Sequence, residues 1–334
     1  MLLRRVTTRL FLDWESLLTI LLSRHIASME AALNVFLYWL GGKFMPLQDL
    51  VDYFNDRFEL EHRSTYRPFI LEKGEVSGLF GPLRIDSIFS PLRQTLKPTT
   101  IVGHTAQITV ATHKTPPLYS NEIENLRADN SAQATNFESI INFDRLSRTV
   151  HMLNYLSSSR LQGLLFLEVD PRHILGIKHD HGAYFEEVIA KCGLENKNIV
   201  ITMTVFSQYG RYYQELINGL DNYRRRGYRI ALKFDSMTQK SQSDLIATLS
   251  PDYVSFSMRN IDSKTEETLL PLKVRVASTG GLSILQQIDD KKSDRLARDI
   301  GFDLVGGSYY RAIAFDYFDN AKQKDLNISL SENR

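Results

Sequence analysis

The chain is almost without cysteine. Cys192 is the single one among 334 residues, which excludes an internal disulfide and a cysteine metal cluster and fits a reducing compartment. An excess of one charge is missing too. Forty basic residues stand against 39 acidic ones, so nothing calls for nucleic acid or an anionic membrane as partner. Long apolar runs are absent: the most apolar stretches, Leu17–Leu22 and Ala31–Leu40, fall short of the roughly 20 residues that span a bilayer. Arg4, Arg5 and Arg9 before an apolar segment mimic a signal peptide. Asp13 and Glu15 interrupt that segment, however, and no small-residue cleavage site follows. The expected location is cytoplasmic. There is no phosphate loop, dinucleotide fingerprint or nucleophile elbow.

What is present suits a globular α/β chain. Hydrophobic residues make up 43%, enough to bury one large barrel with a small extra unit, or two domains. Residues 1 to about 75 pattern as helices. Leu10, Trp14, Leu17, Leu18, Leu21 and Leu22 form one stripe, and Ala32, Val35, Phe36 and Trp39 another, ended by Gly41-Gly42. Pro46 opens a third helix carrying Leu47, Leu50, Val51, Phe54 and Phe58. Such stripes are core faces first, buried either on this chain or on another.

Ser87 to Val110 has strand character, His113 to Ser139 reads as a polar loop with one short helix, and Asn142 to Leu156 is amphipathic. From Leu161 onward strands and helices alternate. Strands are expected at Leu164–Val169, Ile199–Val205, Arg229–Phe234, Tyr253–Met258, Val274–Ala277 and Leu304–Val305. Helices between them, such as Tyr184–Cys192 and Gln208–Arg226, imply a parallel sheet covered by helices. Alternation by itself leaves an open sheet and a closed barrel equally open.

The stretch Gly227–Asp262 carries the most information. Its strand, polar loop, helix and strand resemble the EAL domain, the cyclic di-GMP phosphodiesterase family, at G-x-R-(I/L)-A-L-D-D-F-G and P-x-D-Y-(L/V)-K-(I/L)-D. Gly227, Arg229, Ile230, Ala231, Leu232, Pro251, Asp252, Tyr253 and Val254 match. Earlier, Pro91, Ile101, Val102, Gly103, Ala106 and Ile108 fit Q-P-I-V and I-x-G-(Y/F)-E-A-L-L-R, and Phe143-Asp144-Arg145 resembles L-D-R. FLEVDPRHI from Phe166 resembles (V/I)-N-L-S-P-x-x-L, and IVITMTV from Ile199 resembles L-x-L-E-I-T-E. VASTGGL from Val276 resembles V-A-E-G-V-E-T, and Gly306-Gly307-Ser308 a late Q-G-(Y/F). The resemblance spans roughly residues 84–316.

It implies an EAL-type, TIM-like (β/α)8 barrel over 84–318, with an N-terminal all-helical region, 1–80, and a polar tail, 319–334. It also implies a lost site. The name-giving glutamate falls on Thr105, the phosphate-holding arginine on Thr109 and the metal-binding asparagine on Glu168. A glutamate falls on Thr202, the aspartate pair on Lys233 and Phe234, the catalytic lysine on Ser255 and its following aspartate on Ser257. The last glutamates fall on Ser278 and Gly281. One carboxylate survives of the metal set, and hard divalent cations need several oxygen ligands. The expectation is therefore a non-enzyme with no cofactor, in which Lys233 fills the vacated place beside Glu168, and which does not bind cyclic di-GMP. It would act on a protein partner in motility, biofilm or other signalling. A non-hydrolysing cyclic di-GMP receptor is the alternative, and an active phosphodiesterase the third.

Candidate partner surfaces are Trp14 and Trp39 in the helical region and Lys233 and Lys240 at the barrel mouth. Val274–Ala277 follows so soon after Tyr253–Met258 that the barrel reads as trimmed there, with a two-turn helix ended by Pro271. His179-Asp180-His181 reads as a solvated loop rather than a metal site, and Arg224-Arg225-Arg226 as a cationic helix end.

Overall fold

Three apolar residues at helical spacing, Leu50, Val51 and Phe54, set the first element. In a computed structural model describing residues 46–62, 66–112, 115–119, 137–157, 161, 163–177, 181–234, 239–258 and 263–310, they lie on helix α1 (Leu47–His62) and are buried in the main core. This third helical stripe thus packs on its own chain; the two stripes before it lie outside the described residues. The helical expectation ends at His62. Residues 69–80 form a hairpin instead, β1 (Phe69–Glu72) and β2 (Glu75–Phe80). Its two-residue turn, Lys73-Gly74, has both φ angles positive, 52° and 82°, the mirror-type turn that matches strand twist.

The chain then runs through β3 (Leu83–Gln94), β4 (Ile101–Thr112), β5 (Thr115–Tyr119), α2 (Phe137–Ser157), β6 (Leu164–Val169), α3 (Pro171–Gly176) and α4 (Ala183–Lys191). It continues through β7 (Ile199–Val205), α5 (Tyr213–Arg225), β8 (Arg229–Phe234), α6 (Gln239–Leu249), β9 (Tyr253–Ser257), α7 (Ser263–Ser278), β10 (Leu282–Gln286), α8 (Lys291–Ile300) and β11 (Leu304–Val305). Eight of these strands close into a barrel in the order β3, β11, β10, β9, β8, β7, β6, β4, with β4 paired back to β3. Neighbours are parallel except around β3, which is antiparallel to both β4 and β11. The first half of β3 and the second half of β4 run on as a ribbon flanked by β2 and β5.

Period-two alternation sorts the side chains. Leu92, Phe166, Val200, Ala231, Tyr253, Ile284 and Leu304 point inward and plug the barrel. Leu165, Leu167, Ile199, Ile201, Ile230, Leu232, Val254, Phe256 and Leu285 point outward under the helices. Both faces are covered, so β7 is buried along its whole length.

One expected strand is a helix. Val274–Ala277 belongs to α7, where Leu269, Leu272 and Val276 are buried at helical spacing. Pro271 sits inside that helix rather than stopping it. The strand is the next segment, Leu282–Gln286, so the barrel is not trimmed there. His181 is buried, with Nε2 2.9 Å from the Ile174 carbonyl oxygen, a packed residue rather than a solvated one. Arg224 donates to the carbonyls of Leu249 and Ser250, closing the end of α6.

Side-chain amides tie the outer layer to the ribbon. Asn154 on α2 accepts from the Val76 N–H and donates to its C=O, both at 2.7 Å. Asn55 on α1 does the same to Phe69. Beneath them lies a buried ionic cluster. Arg148 pairs with Asp144 one turn back on α2, donates to the Tyr223 hydroxyl at 3.2 Å, and stacks 4.0 Å above the Phe185 ring. His173 Nδ1 lies 3.0 Å from Asp144. Burial opposes the Asp144 charge, but Arg148 and His173 outweigh it and hold the carboxyl below its usual range. Burial, reinforced by Arg148, pushes the His151 imidazole down to about 3.

Two outcomes follow. Asn154→Ala leaves a strand N–H and C=O unanswered and should cost about 2 kcal/mol in denaturant unfolding. His151 titrates lower in the folded state than its unfolded 6.5, so its contribution is full above that pH and is lost as pH falls toward 3. Stability should decline through that window by up to about 1.4 kcal/mol per pH unit. Denaturant titrations across the window measure this, and His151→Gln should flatten the slope.

Candidate functional site

The parallel strands deliver their last inward residues to one end of the barrel, where the apolar plug gives way to polar groups. Above Phe166 comes Glu168, above Val200 come Thr202 and Thr204, above Ala231 comes Lys233, and above Tyr253 come Ser255 and Ser257. Above Ile284 comes Gln286. Register makes Glu168 the neighbour of Thr202 and Thr204 the neighbour of Lys233. In parallel barrels this end, with its loops, is where chemistry is placed.

These groups answer one another. The Thr204 hydroxyl donates to the Glu168 carboxylate at 2.5 Å. The Lys233 ammonium lies 3.6 Å from the other carboxylate oxygen, with the two side chains 29% and 39% exposed. The expected Lys233–Glu168 pair is thus formed, half in solvent rather than buried. Gln286 donates to the Ser255 hydroxyl at 2.9 Å, and Ser257 donates to the Gln287 amide oxygen. Thr105 donates to the Ser90 carbonyl at 3.3 Å. Thr202 is 9% exposed, and its hydroxyl has no hydrogen-bond partner among the described residues.

The structure places Glu168, Thr202, Lys233, Ser255 and Ser257 on the inward side of adjacent strands at the mouth, with Thr105 on β4 level with Phe166. It does not gather the rest. Phe234 points outward, buried and stacked on Phe256 at 6.0 Å between centroids, because consecutive strand residues face opposite sides. Thr109 lies on the ribbon beyond the barrel, opposite Asp86 and Tyr119. Ser278 ends α7 and donates to the Arg275 carbonyl. Gly281 precedes β10 at the opposite end of the barrel, packed so that a Cβ would meet the Pro251 carbonyl at 2.5 Å.

The strand that follows, Leu282–Gln286, brings Gln286 to the mouth, with Gln287 and Asp289 just beyond it. Gln287 has φ +60°, the left-handed conformation that favours glycine. Asp289 accepts from the Ser308 hydroxyl at 2.6 Å. Gly280-Gly281 before the alternating Leu282–Gln286 was the signal that could have found this strand. Lys233 stands at the mouth, where the candidate partner surface placed it. Trp14 and Trp39, and the side chain of Lys240, lie outside the described residues. Among the described residues no helix is long and apolar enough to cross a membrane.

No protein-family model matches the chain, and no curated protein matches it. Solved structures do. One is the Bacillus subtilis YkuI protein, with an EAL domain, in complex with cyclic di-GMP and calcium: 17% identity and TM-score 0.54 over 73% of this chain and 63% of that one. Another is Klebsiella pneumoniae BlrP1 with calcium and cyclic di-GMP: 13% identity, TM-score 0.54, 69% of this chain and 55% of that one. The Xanthomonas citri FimX EAL domain in complex with cyclic di-GMP matches at 12% identity and TM-score 0.54, over 79% of this chain and 92% of that domain. The chain thus spans less than two thirds of the first two proteins.

All three neighbours hold cyclic di-GMP, which overturns the expectation that this dinucleotide does not bind. That expectation counted substituted residues one by one, whereas a ligand's place is set first by the shape of the mouth that the closed strands define. At these identities the likeness speaks for the fold, and the fold is EAL-like: a closed eight-stranded α/β barrel with one antiparallel strand.

Proposed function

We propose that this chain is a cyclic di-GMP-related signalling protein, cytoplasmic, whose barrel receives the dinucleotide without hydrolysing it and acts on a protein partner. The observation that carries the reading is the Glu168–Lys233 pair in the mouth of an EAL-like barrel. The fold supports the ligand class. The pair supports the absence of turnover.

Hydrolysis of a phosphodiester near neutral pH draws on divalent cations that polarise it and supply hydroxide. The inward groups at the mouth do not fit such an ion. Among the described residues they are hydroxyls, amides and one carboxylate, and Mg²⁺ or Mn²⁺ asks for several hard oxygen ligands, carboxylates foremost. An ammonium already stands beside the one carboxylate. Two unit charges at about 4 Å interact by about 4 kcal/mol at an effective dielectric of 20, and a divalent ion would meet about twice that as repulsion. A barrel with its reaction removed retains a shaped surface and a ligand place, which suits reception rather than turnover. For the output side, α7 presents Leu270 and Val274, one turn apart and 53% and 57% exposed.

Calorimetric titration should show cyclic di-GMP binding to the purified chain, and incubation with Mg²⁺ or Mn²⁺ should give no product above a buffer blank. Turnover lost on Glu168→Ala would refute the non-enzyme reading, and absence of any binding heat would refute the receptor reading. The pair itself is half exposed, so Lys233→Met should lower stability by less than about 1 kcal/mol in denaturant unfolding. A loss of several kcal/mol would mean that Glu168 is far less solvated than its exposure implies.

A further inference from the structure

A dinucleotide brings phosphate charge to a mouth whose donor set does not fit a metal. We propose that Lys233, with Thr202 beneath it, forms a metal-independent site for one phosphate group. This rests on the receptor reading above and names the groups that hold the anion.

Alternation along β8 carries Lys233 to the mouth one layer above the apolar plug at Ala231. Its side chain is 29% exposed and its ammonium sits 3.6 Å from Glu168, longer than a charge-assisted hydrogen bond of about 2.7–2.9 Å. The Thr204 hydroxyl holds Glu168 in place at 2.5 Å. An anion arriving at the ammonium would leave the carboxylate hydrogen-bonded to Thr204.

Thr202 supplies the independent observation. It is 9% exposed, and its Oγ1 has no partner among the described residues. On β7 it lies opposite Glu168 of β6 and Ala231 of β8, between the strands that carry the ion pair. A buried hydroxyl without a partner costs about 1–3 kcal/mol unless something answers it. A phosphate oxygen held by Lys233 would accept from it. The other mouth groups, Ser255 with Gln286 and Ser257 with Gln287, are neutral and already bonded to each other. They add polarity without a second cation. Among the described residues, one tethered ammonium beside one buried hydroxyl matches one phosphate oxygen.

The experiment is calorimetric titration of the full chain with cyclic di-GMP, in EDTA and again with excess Mg²⁺. Inorganic phosphate is titrated in parallel, and thermal unfolding of every variant checks that it folds. Binding should persist in EDTA, change little with Mg²⁺ and weaken as salt is raised. Lys233→Gln should weaken it about tenfold or more, Lys233→Arg should retain most of it, and Thr202→Val should weaken it by about threefold to tenfold.

Binding that appears only with Mg²⁺, or wild-type affinity in Lys233→Gln, would overturn the inference and leave the receptor reading standing. Inorganic phosphate binding as tightly as the dinucleotide, with the same Lys233 dependence, would support the anion site and count against the dinucleotide as its ligand. No heat with cyclic di-GMP in either buffer would overturn both. Should Lys233→Gln fail to fold, metal independence of the wild-type chain and retention in Lys233→Arg decide the matter.

Discussion

The closure of the barrel through β3 is the constraint on which the rest depends. Six of the eight strand pairings are parallel and stack in register, and β3 alone runs against them to join β4 with β11. A parallel sheet left open at β4 and β11 would present two unpaired edges. Closing it satisfies those backbone groups and gives every strand an inside and an outside. The inside then divides into an apolar plug and, one layer further along, the polar mouth. Glu168, the Thr202–Thr204 pair and Lys233 are distant from one another in sequence and are brought side by side only because β6, β7 and β8 are adjacent.

The outer layer follows a different rule. Where helices cover the strands the contacts are apolar, but α2 holds a buried Asp144–Arg148 pair that also engages His173 and Tyr223. Removing one partner from such a cluster leaves an uncompensated charge, which costs more than the intact cluster contributes. It joins α2, α3 and α5, and it binds the sheet through the Asp170 N–H, which donates to Asp144 at 3.1 Å at the end of β6. The helical shell is thus anchored by charge next to the strand that carries Glu168.

Much of the barrel was legible in the chain. The runs at Leu164–Val169, Ile199–Val205 and Arg229–Phe234 are short, apolar and set between helical patterns, and each became a strand with the bounds its pattern implied. The placement of Lys233 next to Glu168 was implied by the resemblance, whose metal ligands fall on both positions. Errors came where local pattern was ambiguous. Val274–Ala277 is β-branched and apolar yet helical, because Leu269, Leu272 and Val276 bury one helical face and Pro271 is tolerated within it. That misreading set the last motif on Ser278 and Gly281, ahead of the strand rather than along it. Phe69–Phe80 was read as helix although Lys73-Gly74 marks a two-residue turn.

By itself the sequence determined the kind of most elements and the donor type of each side chain, because period fixes helix or strand and residue identity fixes chemistry. It determined as well that no disulfide holds the chain, since Cys192 has no second cysteine to meet. Only the tertiary structure decided which polar residues face one another. Phe234 and Lys233 are neighbours in the chain, yet one packs under the helices and the other enters the mouth, because a strand sends successive side chains to opposite faces. Thr202 became a buried hydroxyl without a partner for the same reason: its surroundings are set by strands whose pairing no local pattern records.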